Sequence, residues 1–151
     1  MKAALARWGL AALLLAGSAS AAEAACTISA TSVAFGTYDV FQTTPTDSTG
    51  TVTFRCNNSD KDIRITISAG SSGAFTQRTL RRGTEGLAYN LFPTAALTFV
   101  WGNGTGGTWT YFNHNPQNNR DIVLTIYARI PAEQDVSAGS YSDSVVVTLE
   151  Y

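Results

Sequence analysis

Residues that could do chemistry are few and far apart in this chain. His114 is the single histidine among 151 residues and lies in the stretch YFNHNPQNN, so rich in Asn and Pro that it reads as a solvated turn rather than the seat of a general base. One histidine is too few for a two-histidine metal site. Asp39, Asp47, Asp60, Asp62, Glu85, Glu133, Asp135, Asp143 and Glu150 are scattered, mostly beside turns, where capping and solubility account for them; nothing in their spacing favours the facing carboxylates of a glycosidase. Arg78, Arg81 and Arg82 form a short basic cluster, which reads as a solvated strand edge, with an anion site as the alternative. The loop WGNGTGGTW (101–109) has the glycines of a phosphate-cradling turn but neither the Lys-Ser/Thr nor the helix that such a turn requires. Asn57 in NNS and Asn103 in NGT match a glycosylation pattern that is common by chance. The chain therefore reads as a non-enzyme, with no cofactor and no metal expected.

Composition narrows the class. The chain is 44% hydrophobic and 14% charged, enough apolar material for one globular core and well below the roughly 25% charge typical of soluble proteins. A formal net charge of −1 supplies no long-range field for nucleic acid or anionic lipid. Residues 1–24 read as a signal peptide: Lys2 and Arg7 precede the apolar run GLAALLLAG, and AEA (22–24) is a small-x-small cleavage site. That run is too short to span a bilayer, so no membrane span is expected after cleavage. Export makes a disulfide the default for Cys26 and Cys56, the only two cysteines. A redox-active pair is the alternative, but the Cys-x-x-Cys spacing that lowers a thiol pKa is missing.

Past the leader the pattern is strands and turns. Val52, Phe54 and Cys56 alternate along TVTFRC, and Ile63, Ile65 and Ile67 along IRITIS, two segments that look like the arms of one antiparallel hairpin. GLAYNLF, LTFVW, TWTYF and DIVLTIYARI carry β-branched and aromatic residues between Gly, Asn and Pro. Phe99 and Trp101 enter the glycine-rich loop and Trp109 and Tyr111 leave it, so cross-strand aromatic pairs are expected to stiffen a hairpin there. The last residues, GSYSDSVVVTLEY, place Asp143, Val145, Val147, Leu149 and Tyr151 on one face, the period of a half-buried strand. No apolar pattern at helical spacing lasts three turns, so the expected fold is all-β with sandwich-like spacing, in one domain over 25–151.

Four stretches taken in order, CTISATSVAFGTYDV, GTVTFRC, LAYNLF and ARIPAEQDVSAGSYSDSVVVTLEY, resemble the spore coat protein U domain family, which includes subunits of archaic chaperone-usher pili. The resemblance runs from Cys26 to Tyr151, and the closing block is its most specific part. It implies an immunoglobulin-like sandwich that lacks its last strand. Val145, Val147, Leu149 and Tyr151 would then border a donor-strand groove, filled first by a periplasmic chaperone and then, at the outer-membrane usher, by a neighbouring pilus subunit. The alternative for these residues is the plain core of a closed sandwich. Localisation would be the cell surface or pilus, reached through the periplasm. Cys26 follows the expected cleavage site almost at once, which leaves no extension to donate; the expectation is a subunit placed at the tip, with Trp101, Trp109 and Tyr111 as a possible surface contact. A secreted spore-coat or cell-surface protein that assembles without an usher is the alternative.

Overall fold

The computed structural model describes residues 26–57 and 60–151. The expected signal peptide and its cleavage site lie outside the described residues. Eight strands follow in chain order: β1 (Cys26–Ala30), β2 (Thr46–Cys56), β3 (Ile63–Ile67), β4 (Arg78–Arg82), β5 (Glu85–Phe92), β6 (Tyr111–Asn113), β7 (Ile122–Ile130) and β8 (Val147–Glu150), with one 3-10 turn at Gly70–Ser72. They form a five-stranded sheet in the order β1-β2-β7-β5-β4 and a three-stranded sheet in the order β6-β3-β8. Every strand pair is antiparallel. The fold is all-β, as the spacing of strands and turns predicts, and an immunoglobulin-like sandwich, as the family resemblance implies. Among the described residues no helix is long and apolar enough to cross a membrane.

Alternation decides which side chains enter the core. Val52, Phe54 and Cys56 of β2, Ile126, Ala128 and Ile130 of β7, and Leu87, Tyr89 and Leu91 of β5 meet Ile63, Ile65 and Ile67 of β3 in one buried cluster. Each fully buried aliphatic or aromatic side chain contributes about 1.5–3 kcal/mol relative to exposure. Cys26 and Cys56, directly opposite on β1 and β2, are joined in a disulfide with Cα atoms 4.1 Å apart.

Two sequence expectations change. β2 and β3 are not arms of one hairpin, because both edges of β2 are already taken, by β1 and by β7. The chain after Cys56 must therefore cross to the facing sheet. Nor do LTFVW and TWTYF form a regular hairpin. Leu97 and Gly104, Gly106 and Gly107 adopt positive φ, and the two arms touch in a single parallel bridge between Trp101 and Trp109. Only Tyr111–Asn113 of the second arm becomes a strand.

Gly50 explains how the chain leaves β1. It sits on the inward face of β2, opposite Ile126, where a Cβ would lie 2.9 Å from Val33 Cγ2 and 3.1 Å from the Thr31 carbonyl oxygen. The missing side chain lets residues 31–35 cross over β2 and lay Val33 in the vacated space.

Candidate functional site

The two sheets end on edges that carry an unusual combination of buried side chains and free main chain. β8 pairs with β3 on one side only. The ladder is extended by Ser68, whose N–H donates to the Val146 carbonyl at 2.9 Å. In an antiparallel ladder, alternate residues turn their N–H and C=O to opposite sides. Val146, Thr148 and Glu150 therefore face β3, and the main chain of Val145, Val147 and Leu149 faces away from it. The same odd-numbered side chains point inward: Val145, Val147 and Leu149 are half-buried and packed against the core, while Val146 and Thr148 are exposed. Tyr151 lies beyond the paired strand and is 59% exposed.

The opposite flank runs from β1 into residues 31–40. Val33, Phe35 and Tyr38 pack against the core, yet between Ser32 and Tyr38 the main chain makes no backbone–backbone hydrogen bond among the described residues. Its fixed points are the Thr31 N–H to the Thr51 carbonyl at 2.9 Å, the Ser48 hydroxyl to the Ala34 carbonyl at 2.7 Å, and the Tyr38 hydroxyl to the Pro131 carbonyl at 3.1 Å. Ile28 shows the same gap further back. Directly opposite residues of an antiparallel pair project to one face, and Ile28 pairs with Phe54. Phe54 is 1% exposed, whereas Ile28 is 36% exposed. An inward-facing side chain of β1 is thus left without cover.

A cleft of about 690 Å³ lies between residues 33–40 and residues 136–143, the segment that leads toward β8, with Leu80, Leu87 and Ile130 among its lining. Two polar clusters pin the second segment. The Tyr141 hydroxyl donates to Glu85 at 2.9 Å, and the hydrogen bonds from Ser137 and Tyr141 hold the Glu85 carboxyl below its usual range. The Tyr89 hydroxyl donates to Asp143 Oδ2 at 2.8 Å; burial, reinforced by that bond, raises the Tyr89 phenol well above its ordinary value, so it stays a donor.

Other sequence-predicted residues fall elsewhere. Trp101 is no surface contact: it is 1% exposed, and its indole N–H donates to the Ile65 carbonyl at 3.2 Å. A buried indole must bring its N–H to an acceptor, and the bridge to Trp109 turns the ring inward. Trp109 and Tyr111 are half-buried and stack edge-on in a series with Trp101; the exposed rings nearby are Phe99 and Phe112. Arg81 and Arg82 are exposed as a strand edge predicts, but Arg78 is buried completely. Period-two reading could have found this, since Arg78 shares a face with the half-buried Leu80. His114 is exposed and hydrogen-bonds Asp62 at a turn. Among the described residues, carboxylates are paired with Arg in four places: Asp121 with Arg55, Glu150 with Arg64, Glu85 with Arg82 and Asp47 with Arg129.

The Spore Coat Protein U domain model matches residues 11–148 of this chain. The chain belongs to the Spore Coat Protein U domain family. Over 85 residues it is 28% identical to Protein U of Myxococcus xanthus, an alignment covering 55% of this chain and 45% of that protein. Its fold is similar to a solved chain in the CsuC–CsuE chaperone–tip adhesion subunit pre-assembly complex, from the archaic chaperone-usher Csu pili of Acinetobacter baumannii. The TM-score is 0.56 at 25% identity, covering 83% of this chain and 39% of that one. The chain thus spans less than half the length of either relative.

Proposed function

We propose that this Spore Coat Protein U domain is a structural or adhesive subunit of a surface pilus assembled by the chaperone-usher route, and that it accepts a strand between β8 and residues 31–40. One observation carries the proposal: the main chain of Val145, Val147 and Leu149 faces away from β3, the one strand that pairs with β8 among the described residues, while their half-buried side chains and the inward-facing but uncovered Ile28 border the same open margin of the core. A strand laid there would take main-chain hydrogen bonds from β8 and place alternate apolar side chains against the half-buried Val145, Val147 and Leu149 and, across the margin, Val33 and Phe35. The similarity to a chain of a chaperone–tip adhesion subunit complex supports a periplasmic chaperone as first occupant and a neighbouring subunit as the second, exchanged at an outer-membrane usher. It also favours a tip position. No chemistry is assigned to the site, and the function is mechanical assembly.

The test is thermal unfolding of the isolated full chain with and without a synthetic peptide of about ten residues with alternating apolar side chains. At a hundredfold excess over Kd a bound strand stabilises the native state by about 2.7 kcal/mol, which raises Tm by several degrees for a domain of this size. No shift with any alternating peptide would count decisively against a strand-accepting site. The family's description as a Spore Coat Protein U domain keeps a second arrangement open, a surface coat assembled without an usher. In that case the isolated chain is a soluble, self-complete monomer or homo-oligomer, indifferent to peptide.

A further inference from the structure

Arg78 is the one charged side chain buried in the core among the described residues, at 0% exposure. No carboxylate reaches it as an ion pair among the described residues. Its donors go instead to uncharged acceptors. Nε and Nη2 donate to the Ser68 carbonyl at 2.9 and 2.7 Å, and Nη2 also reaches the carbonyls of Trp101 at 2.7 Å and Ile67 at 3.3 Å. Nη1 donates to Asn90 Oδ1 at 2.7 Å, and the Phe75 ring lies 5.4 Å from the guanidinium carbon. Burial lowers the pKa to about 10, so the group is still a cation at neutral pH. A desolvated cation with no direct ion pair, supported at longer range by Asp143, is a costly way to fill space, and replacing such a group by an apolar side chain of similar volume is often neutral or stabilising. What guanidinium offers beyond volume is a rigid fork of donors.

That fork points at the place where the last strand begins. Ser68 follows β3 directly, and it holds both main-chain groups of Val146: its N–H donates to the Val146 carbonyl at 2.9 Å, and its hydroxyl accepts from the Val146 N–H at 2.8 Å. A second tether joins the same corner. Asp143 accepts from the Ser71 N–H at 2.9 Å and from the hydroxyl of Tyr89, and Tyr89 is the direct partner of Arg78 across β4 and β5. The sequence needs such a device here. In Val145-Val146-Val147 a slip of one residue exchanges valine for valine, so side-chain type at this point does not discriminate between registers, although every main-chain group would switch sides.

We propose that Arg78 is the positioning residue of the acceptor edge: through Ser68 it fixes the register of the last strand, so that the main chain of Val145, Val147 and Leu149 faces the open side. This rests on the strand-accepting role proposed above. The experiment is residue-resolved amide hydrogen exchange on the full chain as wild type, Arg78→Met and Arg78→Lys. Losing the clamp should speed exchange at Val146 and Thr148 about tenfold, the equivalent of one hydrogen bond, and leave the β2–β7 ladder unchanged. Arg78→Lys, which retains charge but not the fork, should recover only part of the protection. Uniform acceleration over both ladders would reduce Arg78 to an ordinary core residue and overturn the proposal, as would no change.

If Arg78→Met does not fold, Ser68→Ala removes only the hydroxyl link. It should loosen Val146 selectively; a uniform or absent effect again overturns the proposal. Adding a peptide of alternating valine and threonine separates the two claims. Protection of Val145, Val147 and Leu149 in wild type, with at least about tenfold weaker binding to Arg78→Lys, supports both. No protection in wild type contradicts the strand-accepting role while the peptide-free exchange still decides the register. Equal binding to both proteins overturns the positioning role.

Discussion

Single side chains show how this domain divides its work between covalent, apolar and polar restraint. The Cys26–Cys56 bond closes a loop with a sequence separation of 30, a constraint on the unfolded chain of about 3–4 kcal/mol in the chain-entropy model. Replacing both cysteines by alanine should lower the free energy of unfolding in urea by roughly that amount, and a loss under about 1 kcal/mol would show that the bond adds little to the β1–β2 ladder. Asp47 and Arg129 form a two-point contact at 2.6 and 2.7 Å. The hydrogen bond from Arg129 holds the Asp47 carboxyl below its ordinary value of 3.8. The folded-state pKa is depressed, so this pair's stabilisation is complete above that ordinary value and disappears as pH falls through the lower folded-state one. For an exposed pair it amounts to about 0.5 kcal/mol. Asp47→Asn should therefore be less stable than wild type at pH 6–7 by about that amount, with the two proteins converging in acid. A deficit that persists unchanged in acid would assign it to something other than this charge pair.

Elements were legible to different degrees, and the reasons are physical. Alternation marks β2, β3 and β7 because each alternates buried with more exposed positions; β5 buries Leu87, Ala88 and Tyr89 in succession and is legible instead from its apolar and aromatic composition. Alternation could not say that β2 and β3 lie in different sheets, since pairing depends on which edges other strands occupy. Around the glycine-rich loop, aromatic residues suggested strands where Leu97 and three glycines bend the chain instead; Trp101 and Trp109 pack edge-on with ring centroids 5.2 Å apart without a ladder. The last strand is legible in its alternation, but the clamp on its start is not, because Arg78, in a short cluster with Arg81 and Arg82, reads as a solvated charge. Within that strand, Val147→Asp and Val146→Thr should separate the two faces. Val147→Asp, which puts a charge against the core, should cost about 2–4 kcal/mol and abolish peptide binding. Val146→Thr, on the exposed face, should change stability by less than about 0.5 kcal/mol. Equal effects on chemical unfolding would mean that the two positions are not on opposite faces. At the crossover, Gly50→Ala should push residues 31–33 off β2 and cost about 1–3 kcal/mol, measurable in the same titration.

At the scale of the whole molecule, the sandwich has a well-packed centre and a partly uncovered margin. Exposed edges bordered by apolar side chains promote edge-to-edge association, so the chain produced alone should aggregate at concentrations where it stays soluble together with a periplasmic chaperone. Size-exclusion chromatography of the two preparations would check this, and a monodisperse monomer without chaperone would point to the usher-independent alternative. The most direct measurement is amide hydrogen exchange along residues 145–150 of the isolated chain, before and after an alternating apolar peptide is added. If a strand is missing beside β8, Val145, Val147 and Leu149 exchange quickly while Val146, Thr148 and Glu150 are protected, and the peptide slows the first three. Slow exchange at all six without peptide would show that the margin is already paired within the molecule, and no strand would then be needed.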